Sequence, residues 1–357
     1  MQKGLLELYT DYLLSSFSYT TATGLSVMSE GKISHDKVTR FLSTEDFTPA
    51  GLWELIKPTV REIESEEGLI IIDDTIEEKP STDENEIICW HFDHSQGRSV
   101  KGVNIVSTIY YSKGYRIPVT FDLVRKTKTV YDEKTKKEKR ISEKTKNEQY
   151  REMLKVCVKN NIKFKYVLND VWYASSENMM LVKTELKKDF IMPIKINRKI
   201  ASSEKDKLAG KYVTVSTLEL KENQQQEIYL EGVSFRLLLI KQVYKNGDGS
   251  QGVLYLVSSD LTLTYEQITT IYHKRWKVEE YHKTLKQHAS LCKSPTKTVR
   301  TQSNHIFASI YSFFKLEYLS LKSELNPTAL RAKLYLTANR AAFNQLENLK
   351  VSFAMKF

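Results

Sequence analysis

The run Leu69-Ile70-Ile71-Ile72 passes without a break into Asp73-Asp74. Four aliphatic residues in a row, three of them β-branched, read as a strand buried on both faces. Two carboxylates at the end of such a strand are costly to place, so the chain around them must answer for their charge. Residues 103–111 form a second strand, rich in β-branched and aromatic side chains. Lys113-Gly114 is a turn, and residues 117–124 are a third strand. Residues 147–160 read as a helix, with Tyr150, Met153, Leu154, Cys157 and Val158 along one side. A fourth strand at 164–168 closes on Asn169-Asp170. Ser176 caps a helix to about Leu186, and residues 190–194 are a fifth strand.

Three hairpin-linked strands, then two crossover helices each leading to another strand, is an order that resembles the ribonuclease-H-like fold. The expected architecture is α/β: a mixed five-stranded sheet with flanking helices, interrupted by a β-rich insertion, plus an N-terminal helical domain. The N-terminal domain covers residues 1–65. It contains a helix near Thr21 to Met28, a turn at Gly31, and a Ser34-capped helix from His35 to Leu42. Such a helix–turn–helix pair is compatible with DNA binding. The core occupies 66–195 and resumes at 259–325. The insertion, 196–258, reads as strands at 212–220, 227–229, 234–244 and 252–257, with Asn246-Gly247 as a hairpin signal. A long helix is expected from Thr264 to about His288, then helices at 304–322 and 327–346, the last within a C-terminal segment of 326–357.

The longest aliphatic runs, 69–72 and 237–240, fall far short of the ~20 apolar residues of a membrane span. No signal peptide is expected, and three scattered cysteines suit neither a disulfide framework nor a CxxC zinc site. The expected compartment is cytoplasmic, nucleoid-associated if the partner is DNA. There is no P-loop, GxSxG or GxGxxG motif, so no nucleotide cofactor is expected. The net charge of +10 is concentrated. Residues 125–146, read as a solvated connection, carry ten Lys and Arg against four carboxylates, and 272–300 carry eight against two, a net of +6 each. Two basic stretches in an otherwise slightly acidic chain favour a polyanionic partner.

Asp74, Asp170 and Glu279 stand out by position. The first and fourth strands of this order can be neighbours, which would bring two aspartates together, and a packed helix could add the glutamate. An oxygen-only set suits Mg²⁺ or Mn²⁺. Two such ions would serve in-line attack at phosphorus. Spacing alone leaves Asp73 and Asp74 as alternatives, because adjacent strand residues face opposite sides. His91-Phe92-Asp93-His94 fits a loop better than a metal ligand set, and His94, Arg98 and Lys101 are candidates to approach DNA.

On a continuous helix, Tyr272, Arg275, Glu279 and Lys286 would fall within about 60° of one another, an odd core face but a fitting phosphate-facing one. The segment Tyr-His-Lys-Arg-Trp-Lys-Val-Glu-Glu-Tyr-His-Lys-Thr-Leu-Lys (272–286) resembles the YREK signature of the insertion-sequence-four group of bacterial DDE transposases. Ile-Ile-Ile-Asp-Asp-Thr (70–75) and Tyr-Val-Leu-Asn-Asp-Val-Trp-Tyr (166–173) resemble that group's first and second aspartate motifs. The likeness spans about residues 65–290.

The resemblance implies a metal-binding triad of Asp74, Asp170 and Glu279, with Asp74 preferred because it directly precedes the threonine. It implies that Tyr272, Arg275 and Lys286 contact DNA phosphates. It further implies nicking at terminal inverted repeats with two Mg²⁺ (or Mn²⁺) ions, attack by the freed 3′-hydroxyl, often through a hairpin, and strand transfer into target DNA. The acting species would be a homodimer in a synaptic complex. Some members of the group stack a flipped base on a tryptophan of the insertion. None lies between 196 and 258 here, leaving Tyr212, Tyr244 or Tyr255 as substitutes. Two alternatives stay open: a non-catalytic DNA-binding relative acting as a repressor, and a ribonuclease-H-like nuclease without strand transfer.

Overall fold

A computed structural model describes residues 2–352 apart from 95, 134, 135, 246 and 248. Asn246 of the expected Asn-Gly turn, and residues 353–357 of the C-terminal segment, lie outside the described residues. The chain divides into two units. One is helical and combines residues 1–47, 284–296 and 300–357. The other, residues 48–283 with 297–299, contains the strands among the described residues.

In the helical unit, Leu6, Tyr9 and Leu13 of the Lys3–Ser15 helix are fully buried. The Tyr9 hydroxyl meets His305 Nδ1 at 3.0 Å. Phe47 stacks on Phe307 with centroids 4.7 Å apart. The expected helix pair is present as Ala22–Met28 and His35–Thr44, capped by Thr21 and Ser34. Gly31 supplies the positive φ of +75° that the intervening turn requires. The last helix, Pro327–Ser352, runs past its expected end. No helix among the described residues is long and apolar enough to cross a membrane.

In chain order the strands are β1 (Leu69–Glu78), β2 (Cys89–Asp93), β3 (Arg98–Ser112), β4 (Tyr115–Leu123), β5 (Lys128–Asp132), β6 (Lys137–Ile141), β7 (Tyr166–Asn169), β8 (Asp189–Ile194), β9 (Lys199–Ala201), β10 (Val213–Thr214), β11 (Gln225–Leu230), β12 (Arg236–Lys245) and β13 (Gln251–Ser258). β5 and β6 form a separate hairpin; the other eleven make one mixed sheet, ordered β10-β9-β11-β12-β13-β8-β7-β1-β3-β2, with β4 also on β3. With helices on its faces, this is the ribonuclease-H-like arrangement. β1 lies between antiparallel β3 and parallel β7, so both its edges are paired, and its first four residues are buried because helices cover both faces of the sheet there.

Four expectations change. The insertion does not merely interrupt the five-stranded sheet: β13 pairs antiparallel with β8 and extends it, which covers the backbone groups β8 would expose as an edge. The 212–220 strand shrinks to Val213–Thr214 and a short 3₁₀ turn. The solvated stretch 125–146 contains the exposed β5–β6 hairpin. Residues 91–93, expected as loop, belong to β2, paired with β3.

The two faces of the core are covered by different helices. Lys146–Lys159 starts with a reciprocal Thr145/Glu148 cap and buries Tyr150, Met153 and Leu154. It lies on the face of Thr108, whose hydroxyl is 3.6 Å from Met153 Sδ. Tyr281 of the Trp276–His288 helix is fully buried beside Ser107, on the opposite face.

Candidate active site

β1 and β7 run parallel with Ile72 opposite Asn169. The next residue of each strand is an aspartate, so Asp73 and Asp170 stand at the same level; Asp170 lies just past the end of β7, whereas β1, expected to end at its two carboxylates, continues to Glu78 and keeps Asp73 within the sheet. Asp73 is also opposite Ser107, and directly opposed residues share a face. Asp73 therefore points to the side of Tyr281 and the Trp276–His288 helix, and Asp74 to the side of the Lys146–Lys159 helix.

Asp74 is fully engaged. Its two oxygens accept from Lys146 Nζ at 3.0 and 2.9 Å, from the Tyr173 hydroxyl at 2.7 Å and from Asn104 Nδ2 at 2.9 Å. Burial pushes this carboxyl upward, but Lys146 and the hydrogen bonds outweigh it and hold it below the ordinary range. Asp73 has the opposite surroundings. Burial, then the charges of Asp170 and Asp74, push it up to about 8. The Asp74 N–H at 2.8 Å and Arg275, 4.0 Å away, only partly offset this. Asp170 caps the turn Val171–Tyr173, accepting from the Trp172 N–H at 2.9 Å. Burial raises it, the Trp172 N–H opposes, and the Asp74 charge adds to the rise.

The expected long helix is broken. Tyr265–His273 ends at a tight turn in which the Arg275 N–H donates to the Tyr272 carbonyl at 2.8 Å, and a new helix starts at Trp276. The 100°-per-residue stripe therefore does not run through these residues. Arg275 instead sits at the break, where its guanidinium donates to Glu279 Oε1 at 2.7 Å and stands 4.0 Å from Asp73. The Tyr272 hydroxyl donates to the Asn169 carbonyl at 3.3 Å, bracing the strand end beside Asp170. Burial raises the phenol strongly; Arg275 opposes, and the charges of Asp170, Asp73 and Glu279 add to the rise. One ring thus feels all three carboxylates. Lys286 is in the last turn of the Trp276–His288 helix, within the helical unit.

Beside Arg275 is a cavity of about 400 Å³, lined by Tyr272, Trp276, Thr269, Gln242, Leu254 and Tyr244. Trp276 and Tyr244 are about half exposed. Of the three tyrosines considered as substitutes for the insertion tryptophan, Tyr244 lines this cavity, whereas Tyr255 is buried in β13.

The donor set of Asp73, Asp170 and Glu279 is chemically suited to a hard divalent cation. Asp73, buried among like charges, is where a cation would relieve the most repulsion. Among the described residues no three His, Cys, Asp or Glu side chains already converge as a metal site, and Glu279 is turned toward Arg275. The sequence reading missed the Lys146–Tyr173–Asn104 clamp. A Thr-x-x-Glu capping box marks the helix start at Lys146, but nothing in the sequence links that start to Asp74.

A family model described as DDE superfamily endonuclease matches residues 1–212, a span that includes both aspartates of β1 and Asp170. No curated protein matches the chain.

Proposed function

We propose that this chain, which belongs to the DDE superfamily endonuclease family, is a DNA transposase that cleaves the ends of a mobile segment and joins the freed 3′-hydroxyl to target DNA. The observation that carries this reading is the in-register approach of β1 and β7, which sets Asp73 level with Asp170 on the side of the Arg275–Glu279 pair.

Asp73, Asp170 and Glu279 are our choice for the residues that hold Mg²⁺ or Mn²⁺. This departs from the resemblance, which favours Asp74. Asp74 faces the other side and is already neutralised by Lys146, while Asp73 has like charges for neighbours. When bound, a pair of such ions activates the attacking water or 3′-hydroxyl and stabilises the leaving oxygen.

The remaining residues bind and orient. Arg275 is held at the helix break by Glu279, and a guanidinium released from that carboxylate can engage a phosphate through two donors. Tyr272 stays protonated and keeps the strand end before Asp170 in place. Lys286 and the exposed β5–β6 hairpin supply further positive charge for the DNA backbone. Tyr244 and Trp276 offer aromatic faces for an unpaired base in the neighbouring cavity, which suits a hairpin step. Transposition also implies a homodimer that holds two DNA ends.

The test is cleavage of terminal-repeat DNA with Mg²⁺. Wild type is expected to nick at the repeat end, and Glu279→Gln to lose nicking while still binding. Strand transfer from pre-cleaved ends tests the joining step separately. A wild-type protein that binds the repeats yet never nicks them with Mg²⁺ or Mn²⁺ overturns the assignment in favour of a repressor.

A further inference from the structure

A cluster of aromatic side chains outside the carboxylate set remains unexplained. Trp172 follows Asp170 by two residues, and its own N–H holds the Asp170 carboxylate at 2.9 Å. Trp172 is 48% exposed. His94 lies against it with ring centroids 4.2 Å apart and planes tilted by 33°. Phe92, 54% exposed, meets His94 edge-on at 4.7 Å. The Lys195 ammonium lies 4.6 Å from the indole centroid. Three separate segments, the end of β2, the turn after β7 and the end of β8, thus bring three exposed rings and one cation together beside a candidate catalytic carboxylate.

Exposed aromatic rings gathered at one place mark a binding surface. Each ring here presents a π face or edge to water at a cost that burial in a core would avoid. The ammonium selects for an anionic ligand, and a nucleotide combines a flat π surface with a negative phosphate. Base–aromatic stacking tolerates any base, so it suits a strand whose sequence is not read. A wholly apolar partner would leave the Lys195 charge desolvated and unpaired, which disfavours a protein or lipid occupant.

We propose that Trp172, His94 and Phe92, with Lys195, form a stacking platform for an unpaired nucleobase of the DNA strand next to the scissile phosphate. This rests on the DNA-cleaving reading above. The exposed imidazole over the indole buries little and can yield its place to a base. Lys195 then faces the phosphate of the same nucleotide.

The test uses the full chain without divalent metal, so that only binding is read. Two labelled duplexes of identical sequence are compared, one blunt and one with a short unpaired overhang carrying 2-aminopurine. Wild type is expected to bind the overhang duplex more tightly and to quench the 2-aminopurine. Trp172→Ala is expected to lose about tenfold in affinity for the overhang duplex and less than twofold for the blunt one, with Trp172→Phe restoring most of the loss. Equal affinity of wild type and Trp172→Ala for the overhang duplex overturns the platform, as does an equal loss on both duplexes. Should Trp172→Ala fail to fold, Phe92→Ala on the edge strand carries the same comparison, with a smaller loss confined to the overhang duplex. A wild-type chain that binds neither duplex overturns the DNA reading itself, an outcome distinct from failure of the platform alone.

Discussion

Asp73 and Asp74 are neighbours on one strand, with the same functional group and similar exposure, yet the two sides of the sheet treat them oppositely. On one side Asp74 meets an ammonium, a phenol and an amide, and its charge is answered within the protein. On the other, Asp73 meets Asp170, and the nearest cation is already paired with Glu279. A carboxylate that the fold satisfies is part of the structure. One that it leaves among like charges costs stability in the free protein, and the cation proposed above would offset that cost. On the proposed reading, the comparison distinguishes a structural acid from a functional one where residue type and position in the motif cannot.

The sharpest way to break this comparison is a pair of isosteric substitutions. Asp73→Asn should lower Mg²⁺-dependent nicking by on the order of 10³ or more, since metal-assisted charge stabilisation is worth several kcal/mol. It should leave the urea midpoint of the metal-free protein unchanged or higher, because a repelled buried carboxylate is removed. Asp74→Asn should do the reverse, with a lower urea midpoint and nicking per folded molecule within a few-fold of wild type. If Asp74→Asn abolishes nicking while Asp73→Asn preserves it, the two roles are exchanged.

A second prediction tests the clamp from its other end. Lys146→Met strands Asp74 in a buried position. Breaking a fully buried pair costs about 3–5 kcal/mol. Here the ammonium is 41% exposed and two other donors remain, so about 1–3 kcal/mol is expected from urea unfolding. Nicking by the folded fraction should survive. The partner experiment on the functional side is Arg275→Gln, which removes the cation shared by Glu279 and Asp73. It should weaken binding to DNA about tenfold, measured without metal, if the guanidinium also engages phosphate.

Much of this arrangement was legible before the fold was seen. The Leu69–Ile72 run and the strand order predict that β1 and β7 can be neighbours, and they pair in parallel. Ser34 and Gly31 mark a helix pair through their own backbone chemistry. What escaped depends on tertiary packing. Strand alternation says that Asp73 and Asp74 face opposite ways, but not which helix covers which face. Helical periodicity carries no warning of the break at Lys274–Arg275, where three-residue hydrogen bonds replace the regular ladder. β5 and β6 lack the apolar alternation of a half-buried strand because almost every side chain in them is exposed or partly exposed. Tyr173 and Asn104 reach Asp74 from segments 99 and 30 residues away in the chain, contacts that no local pattern encodes.

The smallest expected effect asks whether the clamp on Asp74 is preorganised by its helix. Lys146 is the first residue of that helix, directly after Thr145. The Thr145 side chain accepts from the Glu148 N–H at 3.2 Å, and the Glu148 carboxylate accepts from the Thr145 N–H at 2.7 Å. Thr145→Ala removes one half of this reciprocal cap and should cost about 1 kcal/mol in urea unfolding. If the cap also fixes Lys146 beneath Asp74, the losses in Thr145→Ala and Lys146→Met should be less than additive, because once the ammonium is gone the cap has nothing left to position. Strict additivity would mean that Lys146 finds Asp74 by its own flexible reach, and that only the carboxylate's other two donors are preorganised by the fold. Nicking should be unchanged in the Thr145 variant under either outcome, since the change lies wholly on the Asp74 side of the sheet.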